Sequence, residues 1–294
     1  MSAAQADGID RKLIRAGQAF YGICLATNGI LQLYYADFQP QVLPAWPSRI
    51  PGLAICARLV GTALVVSGIA ILITKKARMV ALVWGGVWLG FIPIFHVPYM
   101  LLVSPHPNRL GSWVDTFNAL ALAGMAFVVA GSFGEQRETG EHTPALLRKL
   151  ERLIPFGRYF FCTTIVAFGI CHFLYAPYID TLVPAWIPWH RFWTYFAGAC
   201  LVCSGTAIIL KVRLTLFATL LGTMIFLWVL MLHIPRAIVD PYSGQGNEIE
   251  SAARALAESG AAFLLAYGAR HLEKSARSRE TIGGETYEPG PPLG

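Results

Sequence analysis

Residues 183–188 read Val-Pro-Ala-Trp-Ile-Pro, and residues 43–47 read Leu-Pro-Ala-Trp-Pro. The two copies stand 140 positions apart, each in the loop after a long apolar segment. A series of matches that keeps its order, with only small changes of offset, predicts an internal duplication of the chain. Three further pairs continue the series at offsets of 140, 137 and 136: Gly29 with Gly169, His96 with His233, and Gly124 with Gly260.

The composition is that of a membrane protein. Hydrophobic residues make up 55% of the chain and charged residues 14%, whereas a soluble domain carries about 25% charged residues. The apolar residues form blocks of roughly 20 residues, the length with which a helix crosses a bilayer. Eight transmembrane helices are predicted, at about 18–36, 53–73, 79–98, 114–132, 159–177, 192–210, 214–233 and 253–270.

The duplication and the helix count together predict the fold. It is an all-α, polytopic membrane protein, with eight transmembrane helices as two parallel four-helix bundle repeats. Each repeat has an even number of helices, so both repeats have the same orientation in the membrane. The predicted units are a cytoplasmic lead (1–17), the first four-helix repeat (18–132), a cytoplasmic linker (133–158), the second four-helix repeat (159–270) and a disordered cytoplasmic tail (271–294).

The positive charges predict the orientation. The net charge is +6, and the Lys and Arg residues concentrate in alternate loops, such as Lys75-Lys76 and Lys211 to Arg213. The positive-inside rule then places both termini in the cytoplasm and the two Pro-Ala-Trp loops outside. Because the basic residues follow this topological pattern, they indicate the lipid bilayer as partner and not a nucleic acid.

Each half has a first helix with glycine and a terminal aromatic residue, a Pro-x-Trp loop, and a second helix with Gly and Ser-Gly. In the second half these are 169–173 (Gly-Ile-Cys-His-Phe), 183–188, Gly198 and Ser204-Gly205. In these features the chain resembles the DoxX-like superfamily of small four-helix membrane proteins. The resemblance implies a bacterial inner membrane and, from members such as the small subunit associated with thiosulfate:quinone oxidoreductase, a redox partner subunit. It supplies no catalytic residues.

Polar residues inside predicted spans are candidates for function, because they are costly in lipid. Aromatic and charged residues of the adjoining outer loops join them. We expect them to line a pocket near the outer face of the second repeat, suited to a quinone or an anionic head group. The candidates are His172, Trp186, Arg191, His233, Arg236 and Glu258, with the first-repeat equivalents Gln32, Trp46 and His96.

Each candidate also has a purely structural interpretation. The histidines could form hydrogen bonds between helices, or at helix ends where Pro98 and Pro235 lack an N–H donor and tend to break the helix. Glu250, Arg254 and Glu258 are spaced i, i+4, i+8, so they could form a salt-bridge ladder on one helix face at the membrane interface.

The remaining chemistry-bearing residues indicate no cofactor besides a quinone. The six cysteines all fall in predicted spans, and Cys200 and Cys203 lie in mid-span, where apolar surroundings make a thiol inert. No metal site is predicted, since it would need three or four converging ligands. His172, His190 and His233 could converge only if the fifth to seventh predicted helices are neighbours near the outer face.

The expected function is a non-catalytic or accessory component of a quinone-linked membrane redox system, one that holds a ligand. Two alternatives remain open. A small-molecule membrane transporter would need polar residues through the depth of the membrane. An enzyme acting on a lipid-like substrate would need a titratable pair within hydrogen-bonding reach.

Overall fold

A computed structural model describes residues 3–46, 51–133 and 144–284, with side chains described for 11–46, 51–133 and 144–271. Within these ranges the chain is α-helical and has no β-strand. The helices are α1 (Ala3–Tyr35), α2 (Leu53–Ile73), α3 (Ala77–Phe91), α4 (Val97–Leu102), α5 (Val114–Ser132), α6 (Ala145–Glu151), α7 (Gly157–Leu174), α8 (Ala176–Ile179), α9 (His190–Ile209), α10 (Leu214–Trp228), α11 (Ile234–Val239) and α12 (Asn247–Gly284).

One π-helical turn joins α3 to α4 and another joins α10 to α11. These turns are Ile92–His96 and Val229–His233. Each is followed by Pro98 or Pro235, which cannot donate to the carbonyl four residues earlier, and that carbonyl lies in the π turn. The predicted helix break at the prolines is therefore wrong. The wider π turn accommodates the missing N–H donor of each proline, and the helix continues as α4 and α11.

Within the described residues, six helical segments are long and apolar enough to cross a membrane, which supports a multi-pass helical membrane protein. Helices α1 and α12 do not reach the same apolarity, because polar residues such as Asn28, Gln32 and Arg254 interrupt them. The six segments are Leu53–Ile73, Ala77–Leu102, Leu110–Ser132, Ala145–Leu174, His190–Ile209 and Leu214–Val239.

The helices pack as a closed ring of neighbours. In the first half of the chain, α1 packs against α2, and α3 packs against α5. In the second half, α7 packs against α9, and α10 packs against α12. The contacts between halves are also paired, since α1 lies along α12 and α5 lies along α7. Helices α5 and α12 contact each other across the ring.

Glycines bring the neighbouring helices into backbone contact. A Cβ atom on Gly29 of α1 would lie 2.4 Å from the Gly61 carbonyl oxygen of α2. At the equivalent place between α7 and α9, a Cβ on Gly169 would lie 2.9 Å from the Gly198 oxygen. Without a hydrophobic driving force in lipid, such close packing of small residues holds helices together.

Both chain ends of the described structure differ from the sequence prediction. The predicted lead of 1–17 is helical from Ala3, and the tail predicted to be disordered from 271 is helical to Gly284. Ala, Glu, Lys and Arg are good helix formers, which explains why helix continues where the apolar pattern stops. Part of the predicted linker, 134–143, and the last part of the tail, 285–294, lie outside the described residues.

Candidate functional site

The loop after α1 folds into one end of the bundle. Gln39, Gln41 and Val42 are all buried, and Gln41 Nε2 donates a hydrogen bond of 2.7 Å to Oδ1 of Asn28 on α1. The buried ring of His96, at the end of the first π turn, lies against the backbone of Gln41 and Val42. We call the end of the bundle that carries 37–46 the loop end, and the opposite end, with Lys75 and Lys76, the basic end.

A charged cluster lies on α12 just inside the loop end. Arg254 is flanked by Glu250 at 3.2 Å and Glu258 at 3.1 Å, one helical turn away on either side. The three side chains are only 13%, 3% and 8% exposed. The i, i+4, i+8 ladder predicted from the sequence is present, but it is buried inside the bundle and not on a solvated interface. Burial removes solvent screening, so the partners depend on one another far more strongly than surface charges do.

Carboxyl groups outnumber cations in this cluster. Asp115, near the start of α5, also faces Arg254 and Glu250. Three carboxyl groups therefore share one guanidinium, whose Cζ atom lies 6.0 Å from the ring centre of Phe168 on α7. Asn28 faces Glu250 and joins this cluster to Gln41 and the loop. The result is a polar network that runs from the loop end into the bundle across α1, α5 and α12.

Several buried polar atoms at this end have no hydrogen-bond partner among the described residues. Gln32, which is fully buried on α1, leaves both its amide nitrogen and its amide oxygen unpaired. Further unpaired atoms are Nε2 of His96, Oδ1 of Asn118 and Nδ1 of His233. Unpaired buried polar groups cost free energy, and in native proteins they are rare enough that each calls for an explanation.

The second-half candidates divide into two groups. His233 faces Arg254, Arg236 and Glu248, and Glu258 is bonded to Arg254, so these candidates belong to one polar region. His172 lies one turn along α7 from Phe168, to whose carbonyl oxygen its Nδ1 bonds at 2.8 Å. Its ring stacks on Trp228 with 6.4 Å between ring centres.

The other two second-half candidates lie outside this region. The Trp186 residue is 65% exposed in the loop before α9. The Arg191 side chain is 53% exposed and paired with Asp180. The structure therefore brings His233, Arg236 and Glu258 together and leaves the two loop residues apart.

The first-half candidates are the more deeply buried set. Gln32 and His96 are 0% and 1% exposed. Trp46 packs edge-on against Tyr99, with 5.7 Å between ring centres, and its indole nitrogen has no partner among the described residues. The sequence predicts the ligand pocket in the second half. The unpaired atoms lie in both halves, on Gln32, His96 and Asn118 of the first and on His233 of the second.

Arg236 and Glu248 close the loop end with a two-point ion pair. The Nε and Nη2 atoms of Arg236 donate to the two carboxylate oxygens at 2.9 and 2.6 Å. This guanidinium holds the pKa of Glu248 below its ordinary value of 4.5. The pair ties α11 to the first turn of α12 and so positions the Arg254 cluster.

The lowered pKa of Glu248 predicts a pH dependence of stability. A carboxylate with a depressed folded-state pKa stabilises the fold above its ordinary pKa, and the contribution disappears as the pH falls through the lowered value. We expect acidification from neutral pH to lower the thermal unfolding midpoint more in the wild type than in Glu248→Gln. Equal acid sensitivity of the two proteins would contradict this role for the pair.

Sequence reasoning missed the residues that connect the site. The predicted site does not include Asn28, Gln41 or Asp115, and it places Arg254 only in the ladder on α12. One signal was present: Asn28 and Gln32 are four residues apart, on one face of an apolar helix. The burial of Gln41 has no comparable sequence signal, because the local sequence of a loop in solvent does not differ from that of a loop folded between helices.

The described side chains show no metal centre. No group of three or more His, Cys, Asp or Glu residues among them is placed to hold an ion. The cysteines are all free, and both cysteines of the C-x-x-C pair lie on α9.

Comparisons with known proteins identify no relative. No protein-family model, no curated protein and no solved structure matches the chain. The likeness to the DoxX-like superfamily therefore stays a prediction from the motifs.

Proposed function

We propose that the chain is a tandem DoxX-like protein with eight spanning helices, in which α1 and α12 complete two four-helix repeats. Helix α12 supports this because its alanines, such as Ala257, Ala261 and Ala262, are buried. A helix enclosed by other helices does not face lipid, so it can span a membrane with less apolar character. The charge pattern supports a bacterial inner-membrane orientation with both termini cytoplasmic.

Paired contacts between the helices support the two repeats. The π turns Ile92–His96 and Val229–His233 are 137 positions apart. Gly124 contacts Gly157 between α5 and α7, and Gly260 contacts Gly17 between α12 and α1. Gly260 lies 136 positions after Gly124, and Gly157 lies 140 positions after Gly17. Nearly equal sequence offsets at corresponding places in the packing are what a duplicated unit produces.

For function, we propose that the loop-end site holds a small ligand with both hydrogen-bond acceptors and donors, of the quinone type, as an accessory part of a membrane redox system. The observation that carries this proposal is the set of unpaired buried polar atoms on Gln32, His96, Asn118 and His233. A ligand that hydrogen-bonds to them would offset the cost of burying them.

The residues present fit a quinone. The amide nitrogen of Gln32 and a ring nitrogen of His96 or His233 can donate to quinone carbonyl oxygens, and the oxygens of Gln32 and Asn118 can accept from the hydroxyls of the reduced form. A bound quinone would supply two-electron chemistry. The chain's own residues bind and orient it, and the loop 37–46 shields it from water. The redox assignment and the partner subunit rest on the family resemblance.

The apolar interior of the basic half favours a ligand-holding protein over a transporter. The largest fully buried side chains there include Phe127, Phe161 and Ile165. A transported polar solute would have to cross this packed layer.

The test is to purify the full chain in mild detergent and identify co-purifying molecules by mass spectrometry. We expect an isoprenoid quinone with the wild type and about fivefold less with Gln32→Leu, the effect of one lost hydrogen bond. Thr223→Val is a matched control, since it removes an exposed hydroxyl that bonds only within its own helix at 2.8 Å. Equal quinone in both variants, or none in the wild type, would overturn the proposal.

A further inference from the structure

A concave site lies at the basic end, and it shares no residue with the polar network. The cleft has a volume of about 540 Å³ and opens between α1, the end of α2 and the end of α5. This volume is within the range of small-molecule sites. Its lining includes Arg15, Gln18, Leu72, Ile73 and Lys75.

The rim of this cleft is cationic. Arg15 and Lys75 are both exposed, and among the residues whose side chains are described, neither pairs with a carboxylate. Gln18 is fixed beside them by its hydrogen bond of 3.0 Å to the Ser132 hydroxyl. Two cations and a positioned amide on one rim suit an oxyanion such as a phosphate group.

The wall of the cleft is apolar and continues onto the outer surface. Leu72 and Ile73 are 49% and 75% exposed. The exposed face of α2 continues through Ile69 and Val66, which are 47% and 60% exposed. Because α2 is one of the helices apolar enough to span a membrane, this face lies where acyl chains run.

We propose that this basic-end cleft binds an acidic phospholipid, with Arg15 and Lys75 on the phosphate head group and Leu72 and Ile73 along an acyl chain. Basic pockets between helices at the cytoplasmic side of a membrane are suited to anionic head groups. A soluble phosphate would use the two cations but would gain nothing from the apolar wall, so the combination points to a lipid. The site is independent of the quinone proposal, because it shares no residue with the loop end.

The test uses the full chain in mild detergent with added phosphatidylglycerol or phosphatidylcholine, and native mass spectrometry to measure lipid retention. We expect preferential retention of phosphatidylglycerol. Arg15→Gln or Lys75→Gln should reduce this retention about fivefold, because each cation near a membrane surface contributes to the affinity for an anionic lipid by about that factor. Lys149→Gln is the matched control, because Lys149 is an exposed basic residue on α6 that does not line the cleft.

Three outcomes would overturn the proposal. Equal retention of the two lipids by the wild type would remove the charge selectivity. An equal loss in Lys149→Gln would mean diffuse attraction by the whole basic surface. Displacement of the lipid by millimolar inorganic phosphate would assign the cleft to a soluble anion. Retention of quinone can be scored in the same spectra, so failure of one site is distinguishable from failure of the other.

Discussion

Replacing Arg254 by leucine is expected to destabilise the protein by about 3–5 kcal/mol. The substitution leaves the side chains of Glu250 and Glu258, which are 3% and 8% exposed, without their shared counter-charge. Asp115 loses this counter-charge as well. Breaking a buried pair is costly because the remaining charge has neither water nor a partner. The free energy of unfolding, measured by denaturant titration in detergent micelles, is the readout.

Two comparisons make this result specific to burial. Arg191→Leu removes a guanidinium that is also ion-paired but is 53% exposed, and it should cost at most about 1 kcal/mol. The quadruple variant Asp115→Asn/Glu250→Gln/Arg254→Met/Glu258→Gln removes all four charges and should recover most of the lost stability, since neutral replacement of a buried ion network is often tolerated. An Arg254→Leu protein no less stable than Arg191→Leu would contradict the buried network.

Replacing Gly124 by alanine is the second substitution with a large expected effect. The new Cβ would lie 2.4 Å from the backbone nitrogen of Phe161 and 2.8 Å from the carbonyl oxygen of Gly157. Both contacts are with backbone atoms of α7, so no side chain can rotate away and the two helices must separate. We expect a loss of about 1–3 kcal/mol, the usual range for overpacking.

Gly90→Ala is the matched control for Gly124→Ala. Gly90 is also in a helix, α3, but its Cβ would meet nothing within 4 Å. The gain in helix propensity should therefore stabilise this variant, by up to about 1 kcal/mol. Gly260→Ala, where the nearest atom would be 3.0 Å away, should fall between the two. The order of the three unfolding free energies checks the helix contact, and a Gly124→Ala protein as stable as Gly90→Ala would refute it.

The position of α12 explains why its sequence is ambiguous. Its polar residues, Glu250, Arg254 and Glu258, lower its apolarity below that of the six clear spans. In lipid such residues would be prohibitive on an outward face. Surrounded by α1, α5 and α10, they contact other helices instead. Hydropathy measures average polarity along a helix and is insensitive to which neighbour a side chain meets.

The sequence by itself determined the class of the protein and the order of its helices. Blocks of roughly 20 apolar residues must become helices in a bilayer, because every backbone hydrogen bond has to be made within the segment. The prolines after His96 and His233 correctly predict where the two helices become irregular. They do not predict the type of irregularity, because each helix widens to a π turn and continues where a break is expected.

Only the tertiary structure decided which residues share a site. Asn28, Gln41, His96, Asp115 and Arg254 are spread over more than 200 positions, and they meet because α12 packs across the chain against α1 and because the loop 37–46 folds inward. Neither fact follows from local pattern. In lipid all apolar faces are nearly equivalent, so the choice of neighbour depends on where small residues permit close approach and where buried polar groups find partners. The Pro-Ala-Trp loops predict a duplication, and the packing brings the polar network to the loop that carries the first copy.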